Sequence, residues 1–238
     1  MRHCTILLLA LSLLGATPSP RAGEINIYTE DYPPYNMLQE GNLSGLSVDV
    51  LGEILKRTDS GQTLADVHFT SWSRGYSMAK MKPDTMIFST TRTAQREELF
   101  KWVGPIAKTT IGLLALKERN IKISGIDDLN RYQTGTVLQD IGEQLLLEAG
   151  VARDNIQSVS GQDVLKISLR KLVAGRIDPL SYELNVATHA AKSNGYDPGR
   201  FERVYTLKEG ELYFAFNKET ADALKADGTH QRILDSYR

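Results

Sequence analysis

Thr85-Met86-Ile87-Phe88-Ser89-Thr90-Thr91-Arg92-Thr93-Ala94-Gln95-Arg96-Glu97 is the stretch whose reading decides the fold. Its first four residues have the apolar, β-branched and aromatic content of a buried strand. Ser89-Thr90-Thr91 reads as a turn of hydroxyl residues, and Thr93 as the N-cap of a helix opening on Ala94-Gln95-Arg96. Together these make an anion receptor: helix-start N–H groups point outward, and a guanidinium grips a carboxylate with two parallel bonds. The plainer alternative puts Arg92 and Arg96 on the surface, paired with Glu97 and Glu98. The residues of the stretch leave the two readings level.

Working outward, strands and helices alternate on both sides. Ile25-Asn26-Ile27-Tyr28 has a strand's period of two. Glu30-Asp31-Tyr32-Pro33-Pro34-Tyr35 is a loop stiffened by two prolines and carrying two tyrosines. Ser47 is expected to cap a helix whose Val50, Leu51, Ile54 and Leu55 share a face. Val67-His68-Phe69 is a strand, after which Ser73 is expected to cap the helix carrying Tyr76 and Met78. A β-α-β-α-β order gives a mainly parallel sheet covered by helices. Ligands of such sheets bind outside the carboxyl ends of the strands, so the Tyr32 loop, Trp72 and the Ser89–Arg96 turn converge on one edge.

Downstream, Ile111–Leu116 is a longer apolar strand, and the pattern restarts. Strands are expected at 134–138 and 157–159, and an amphipathic helix over Val164, Leu165, Leu169, Leu172 and Val173. Capping-box spacing precedes helices at Ser124–Asp127 and Asp140–Glu143, and Tyr182-Glu183 leads into another helix. Glu211–Phe216 is a last apolar strand. The chain thus reads as α/β with two lobes: residues 23–112, then 113–205, with 206–238 returning to the first. Two crossings make a hinge, and a hinge makes a cleft.

The composition and the N-terminus are read as those of an exported, mildly acidic protein, and they exclude some classes. The 238 residues are 41% hydrophobic with a net charge of −1, and no basic run is interleaved with aromatics, so no nucleic-acid partner is expected. Met1-Arg2-His3, the apolar run Ile6–Leu14 and the small, turn-forming residues to Ala22 read as a secretory signal peptide, cleaved after Ala22 or Ala16. Removing it takes the 28 Lys and Arg to 26 against 29 Asp and Glu, a net charge of −3. It also removes Cys4, the single cysteine, and with it any disulfide or thiolate chemistry. His68, His189 and His230 are scattered, without metal-ligand spacing or a Ser-His-Asp arrangement, and no cofactor or metal is expected.

From Glu24 to Arg238 the chain resembles the periplasmic solute-binding proteins of ABC transporters, in the amino-acid-binding family. The landmarks are Tyr32-Pro33-Pro34-Tyr35, Gly45-Leu46-Ser47-Val48-Asp49-Val50, Thr91–Glu97, Phe100-Lys101-Trp102-Val103-Gly104-Pro105, Gly175-Arg176-Ile177-Asp178 and Ala226-Asp227-Gly228-Thr229, in that order. The resemblance implies the two-lobe fold of that family, each lobe a mainly parallel sheet flanked by helices, with the ligand at the hinge. It implies that Arg96 clamps a ligand carboxylate, with Thr91 and Ser89 as hydroxyl partners. Tyr32 and Trp72 correspond to the aromatic walls, Glu183 to a second-lobe acid for an α-ammonium, and Asp140 to the second-lobe helix start beside the carboxylate. Arg74 ranks below Arg96 as a second anion contact. Each has a plainer competitor: core packing for Tyr32 and Trp72, helix capping for Asp140 and Glu183, surface exposure for Arg74. Trp102 is assigned to packing. The Leu138-Gln139-Asp140-Ile141 turn departs from the family's Gly and Ser/Thr, since an aspartate there repels a carboxylate unless it turns to its own helix or the ligand is more cationic. Residues 218–226 are also shorter than the family's final helix.

The implied function is periplasmic capture of a small polar solute, an amino acid or related compound, by a monomer that delivers it to a membrane ABC permease. Two other readings use the same scaffold. One is a dehydratase of the cyclohexadienyl type with Glu183 as proton donor; the other is a sensor module. The want of a second catalytic candidate ranks the enzyme below the binding protein.

Overall fold

The computed structural model of the protein describes residues 24–58 and 60–220. The signal-peptide segment and the Ala226–Thr229 landmark lie outside them, as does most of the shortened closing segment.

One eight-stranded sheet runs through both lobes. In chain order its strands are β1 (Asn26–Thr29), β4 (Val67–Phe69), β5 (Thr85–Thr91), β6 (Phe100–Leu116), β7 (Thr134–Val137), β8 (Ile156–Val159), β9 (Pro179–Glu183) and β10 (Phe201–Asn217). A small hairpin, β2 (Met37–Gln39) with β3 (Asn42–Ser44), stands apart. The order across the sheet is β4-β1-β5-β10-β6-β9-β7-β8. Each lobe contributes three mutually parallel strands at one side, and the long β6 and β10 run antiparallel through the middle. Helices cover the faces: α1 (Leu46–Arg57), α2 (Trp72–Met81) and the single turn α3 (Ala94–Glu97) in lobe one, α4 (Ile141–Glu148), α5 (Val164–Val173) and α6 (Leu184–Ser193) in lobe two. Among the described residues no helix is long and apolar enough to cross a membrane.

The decisive stretch is a strand for longer than its apolar residues suggest. Ser89-Thr90-Thr91 is not a turn; it belongs to β5, every residue of which is buried. Phe88 and Ser89 lie opposite the single residue Phe214, and this bulge puts Ser89 at φ 58° while Thr90 and Thr91 stay paired with Tyr213 and Leu212. β6 and β10 likewise begin well before the apolar runs at 111–116 and 211–216, because each supplies the other's backbone partners along almost its whole length.

Two expected caps are also replaced. Ser47 sits inside α1, whose first N–H groups donate to the Tyr32 loop instead: Leu46 to the Pro34 carbonyl at 3.2 Å, Ser47 to that of Tyr35 at 2.9 Å. Gly45 precedes them at φ 121°, where a side chain would collide with the Tyr35 carbonyl. Similarly α2 starts at Trp72 with Ser71 as N-cap, leaving Ser73 within the helix.

Three apolar clusters follow from this layering. Ile25, Ile27, Leu51, Met86 and Phe214 fill one face of lobe one. Leu113, Leu129, Leu146 and Ile156 fill one face of lobe two. The largest is continuous across the seam, from Tyr32, Trp72 and Tyr76 to Tyr182, Val186 and Leu169.

Candidate functional site

The lobe-one side begins at the Tyr32 loop. Asn36, fully buried, donates from its side-chain amide to the Glu30 carbonyl at 2.8 Å, and its own carbonyl accepts from Tyr32 N–H at 2.7 Å. Ser89 holds this loop from β5: its hydroxyl bonds to Asn36 Oδ1 and to Ser47 Oγ, the latter at 2.8 Å. The αL conformation at the bulge aims the side chain there. Ser89 therefore fixes the loop that carries Tyr32.

Arg96 is the centre of the seam. Thr93 caps α3, its Oγ1 accepting from Arg96 N–H at 3.3 Å. The side chain is only 1% exposed despite its charge. Nη1 donates to the Thr91 carbonyl at 3.2 Å, Nε to Gln144 Oε1 at 3.0 Å and Nη2 to the Gln139 carbonyl at 3.5 Å. The first partner belongs to lobe one and the other two to lobe two. One N–H on each terminal nitrogen is left for a further partner. The guanidinium lies 5.4 Å from the Trp72 ring centre and 5.0 Å from that of Tyr76. Trp72 itself is buried and stacked on Tyr76 at 5.1 Å, with no hydrogen-bond partner for its Nε1–H. Ser77 Oγ, on the same helix as Trp72, donates to Gln139 Oε1 at 3.4 Å, a third polar bond between the lobes.

Lobe two faces this with carboxylates. Asp140 caps α4, accepting from Gly142 N–H at 3.2 Å, and is buried. Glu183 caps α6 and accepts from Val186 N–H at 2.7 Å, Asn185 Nδ2 at 3.1 Å and Thr110 N–H at 3.3 Å. Burial pushes the Asp140 carboxyl up, and the Arg96 guanidinium draws it partly back. Glu183 is also pushed up by burial, against the pull of its N–H donors. The Tyr182 ring meets Tyr32 edge-on at 5.7 Å, so the aromatic wall of lobe one touches lobe two directly.

Of the residues named from the sequence, Arg96, Trp72, Tyr32, Asp140 and Glu183 come together along the seam, with Thr91 contributing its carbonyl. Ser89 is spent on the Tyr32 loop, and Arg74 is exposed on α2. Arg92, four residues before Arg96, pairs with Glu97 at 2.8 Å on the surface and lies over Trp102 and Tyr213. Trp102 packs, edge-on to Phe100.

Four residues of the seam escaped the sequence reading: Glu30, Tyr182, Gln139 and Gln144. Glu30 had a signal, since it directly follows a parallel strand at its carboxyl end. It is 6% exposed, and burial, then the charges of Asp140 and Asp31, push its carboxyl well above the usual range. Gln139 meets Arg96 through its backbone carbonyl, which no residue type announces.

The model of the bacterial extracellular solute-binding proteins, family 3, matches residues 25–238. The chain belongs to this family. A search of curated proteins gives no match. Among solved structures, the solute-binding protein is similar to a histidine kinase sensor domain with similarity to periplasmic binding proteins (17% identity, 92% of each chain covered, TM-score 0.73). It is similar to the arginine-, lysine-, histidine-binding protein ArtJ of Geobacillus stearothermophilus (17% identity, 90% of each chain, TM-score 0.67). A third is the solute receptor for L-cysteine of Neisseria gonorrhoeae (19% identity, 90% of this chain and 89% of that one, TM-score 0.66). At these identities the likeness establishes the two-lobe α/β fold. Family membership makes this a solute-binding protein.

Proposed function

We propose that the protein captures a small polar solute, an amino acid or a related compound, in the periplasm and delivers it to an ABC permease. The observation that carries this is Arg96: a buried cation on lobe one whose hydrogen bonds reach Gln139 and Gln144 on lobe two, while two N–H groups stay available. A carboxylate bound there sits where both lobes meet, so its contacts are complete only in the closed form. Such a ligand favours closure by its differential affinity for that state. Asp140 and Glu183 offer the matching negative charge for an ammonium, and Tyr32 and Trp72 exclude water. The protein acts as a monomer after removal of residues 1–22 and performs no chemistry on the solute.

The test is a thermal-shift screen of residues 23–238 with amino acids, polyamines, short peptides and cyclic carboxylates, followed by small-angle scattering. A true ligand raises the midpoint, by about 2.7 kcal/mol of stabilisation at a hundredfold excess over Kd, and shrinks the radius of gyration. A panel compound that is consumed instead converts the reading to an enzyme of the dehydratase kind. The likeness to a histidine kinase sensor domain supports a second reading, a sensor module. Ligand-dependent uptake into vesicles carrying a candidate permease favours transport, and its absence alongside tight binding favours sensing.

A further inference from the structure

A glutamine amide carries an acceptor at one end and donors at the other, and Gln144 uses both ends at the seam. It is the fourth residue of α4, half-buried, with its own N–H on the Asp140 carbonyl at 3.1 Å. Oε1 accepts from Arg96 Nε at 3.0 Å, and Nε2 donates to the Gln139 carbonyl at 3.3 Å. That carbonyl also accepts from Arg96 Nη2 at 3.5 Å, so guanidinium, amide and carbonyl close a ring along one side of Arg96. The amide has a single workable orientation, since Arg96 has only donors and the carbonyl only accepts. The Thr91 carbonyl takes one N–H of Nη1, and the Trp72 and Tyr76 ring centres stand 5.4 and 5.0 Å from the guanidinium. What stays unpaired is one N–H on each terminal nitrogen.

The turn behind this contact is braced without help from Arg96. Gln139 stands at φ 62°, in the left-handed region, and its N–H donates to Glu143 Oε2 at 2.6 Å. Glu143 is held in turn by Ser158 and by Arg153, the latter at 2.7 Å. Lobe two thus presents the Gln139 carbonyl and the Gln144 amide from a fixed frame. A second observation concerns charge. Other arginines pair with carboxylates, as Arg92 does with Glu97, Arg119 with Asp178 and Arg200 with Glu118. Among the described residues, the three oxygens that accept from the Arg96 guanidinium are all neutral: two main-chain carbonyls and one amide. Asp140 already lies in the electrostatic reach of Arg96. A further carboxylate, bonded at Nε, would leave the guanidinium little charge to offer a ligand.

We propose that Gln144 is the positioning and specificity-determining residue of the Arg96 clamp. Its amide holds the Nε side of the guanidinium across the seam with a neutral acceptor, so that the terminal N–H groups are aimed at the solute and their charge is not cancelled. This rests on the binding-protein reading above and deepens it: Gln144 makes the site prefer a solute with a carboxylate to the same solute without one. The amide is the feature that matters, not only the side chain's size. Glu at this position keeps the length and the acceptor, and bonds to Arg96 more strongly, because the bond becomes charge-assisted. Contact between the lobes is then kept or tightened while the clamp loses its pull on a carboxylate. A residue that merely held the lobes together would move stability and affinity in the same direction. Gln144→Glu is expected to move them in opposite directions.

The experiment is calorimetric titration of the signal-free protein with L-arginine, L-lysine, L-leucine and L-phenylalanine, each against the amine that lacks its carboxylate: agmatine, cadaverine, 3-methylbutylamine and phenethylamine. At least one amino acid is expected to bind the wild type at least about 100-fold more tightly than its amine, the scale of a charge-assisted bidentate contact. Gln144→Glu is expected to cut that ratio to less than about 10-fold by weakening the amino acid, with a thermal midpoint equal to or above the wild type's. Gln144→Met removes the acceptor at similar size and is expected to weaken the amino acid by a smaller factor. The second measurement needs no solute: the ¹⁵N–¹H signal of Arg96 Nε, assigned by its loss in Arg96→Lys. Gln144→Met is expected to shift it and to speed its exchange with water at least about 10-fold. An amino acid-to-amine ratio unmoved by Gln144→Glu overturns the specificity role and leaves the binding-protein reading standing. A wild type that prefers the amines overturns that role and the carboxylate in the reading above together. A folded protein that binds nothing in the panel overturns the choice of solute above, and the Nε signal then decides the positioning role: unmoved by Gln144→Met, it overturns it.

Discussion

The turns that open α3 in lobe one and α4 in lobe two are built alike and do opposite things. Each follows a parallel strand and starts with a side-chain cap, Thr93 in one and Asp140 in the other. The third helical residue is Arg96 in the first and Glu143 in the second. Glu143 is an acceptor, so it folds back to the Gln139 N–H at 2.6 Å and turns aside to Arg153 and Ser158. Arg96 has only donors and cannot bond to the amides of its own turn. It extends across the seam to carbonyl and amide oxygens of the facing turn. One choice of residue at one helical position separates a closed local motif from an interlobe contact.

The comparison breaks most severely at Arg96. Arg96→Ala is expected to lower solute affinity at least about 100-fold, since it leaves buried acceptors and Asp140 without their cation. Calorimetry checks it, and unchanged affinity would end the receptor role of the lobe-one turn. Next in size is the pH response of the buried acids. A carboxyl whose folded pKa is raised favours the folded state below its ordinary range, about 4.3 for Glu, and that contribution is lost as pH rises through the folded value. Glu30, Asp140 and Glu183 all lie on that side, so the ligand-free midpoint should fall from pH 5 to pH 8. Glu30→Gln should raise it at pH 8 by about 2–4 °C for each kcal/mol recovered, and little at pH 4. A midpoint that rises with pH contradicts the assignment. Thr93→Ala removes the lobe-one cap, for a loss of about 1 kcal/mol by denaturant titration. Arg92→Ala, at the exposed pair with Glu97, should cost less than about 1 kcal/mol and leave affinity unchanged.

Local pattern made the element order legible, along with the N-caps Thr93 and Asp140 and the aromatic loop at Tyr32. What it could not show depends on partners distant in the chain. Ser89-Thr90-Thr91 looks like a turn until β10 pairs with it and absorbs the extra residue as a bulge. Gly104-Pro105 and Glu209-Gly210-Glu211 look like breaks, yet both lie within 17-residue strands held together by each other's backbone. Ser47 has the chemistry of a cap, but the carbonyls of Pro34 and Tyr35 had already met the helix's need. In the site, Arg96 could be singled out only through the family landmarks around it, since the residues of its own stretch left clamp and surface pair level. Glu30 carried only the signal of its place just past β1, since an acid on a loop is otherwise ordinary until its burial is known.

The place of β10 in the sheet has a consequence for how the protein is made. β5, buried along its full length, pairs with β1 on one side and with β10 on the other. During synthesis that second partner arrives only after all of residues 92–200. Until then the nascent first lobe presents an open edge beside some of its most apolar residues, a template for pairing with another chain. The late strand thus acts as a seal, and a chain stalled before residue 201 is the species that a chaperone has most reason to hold.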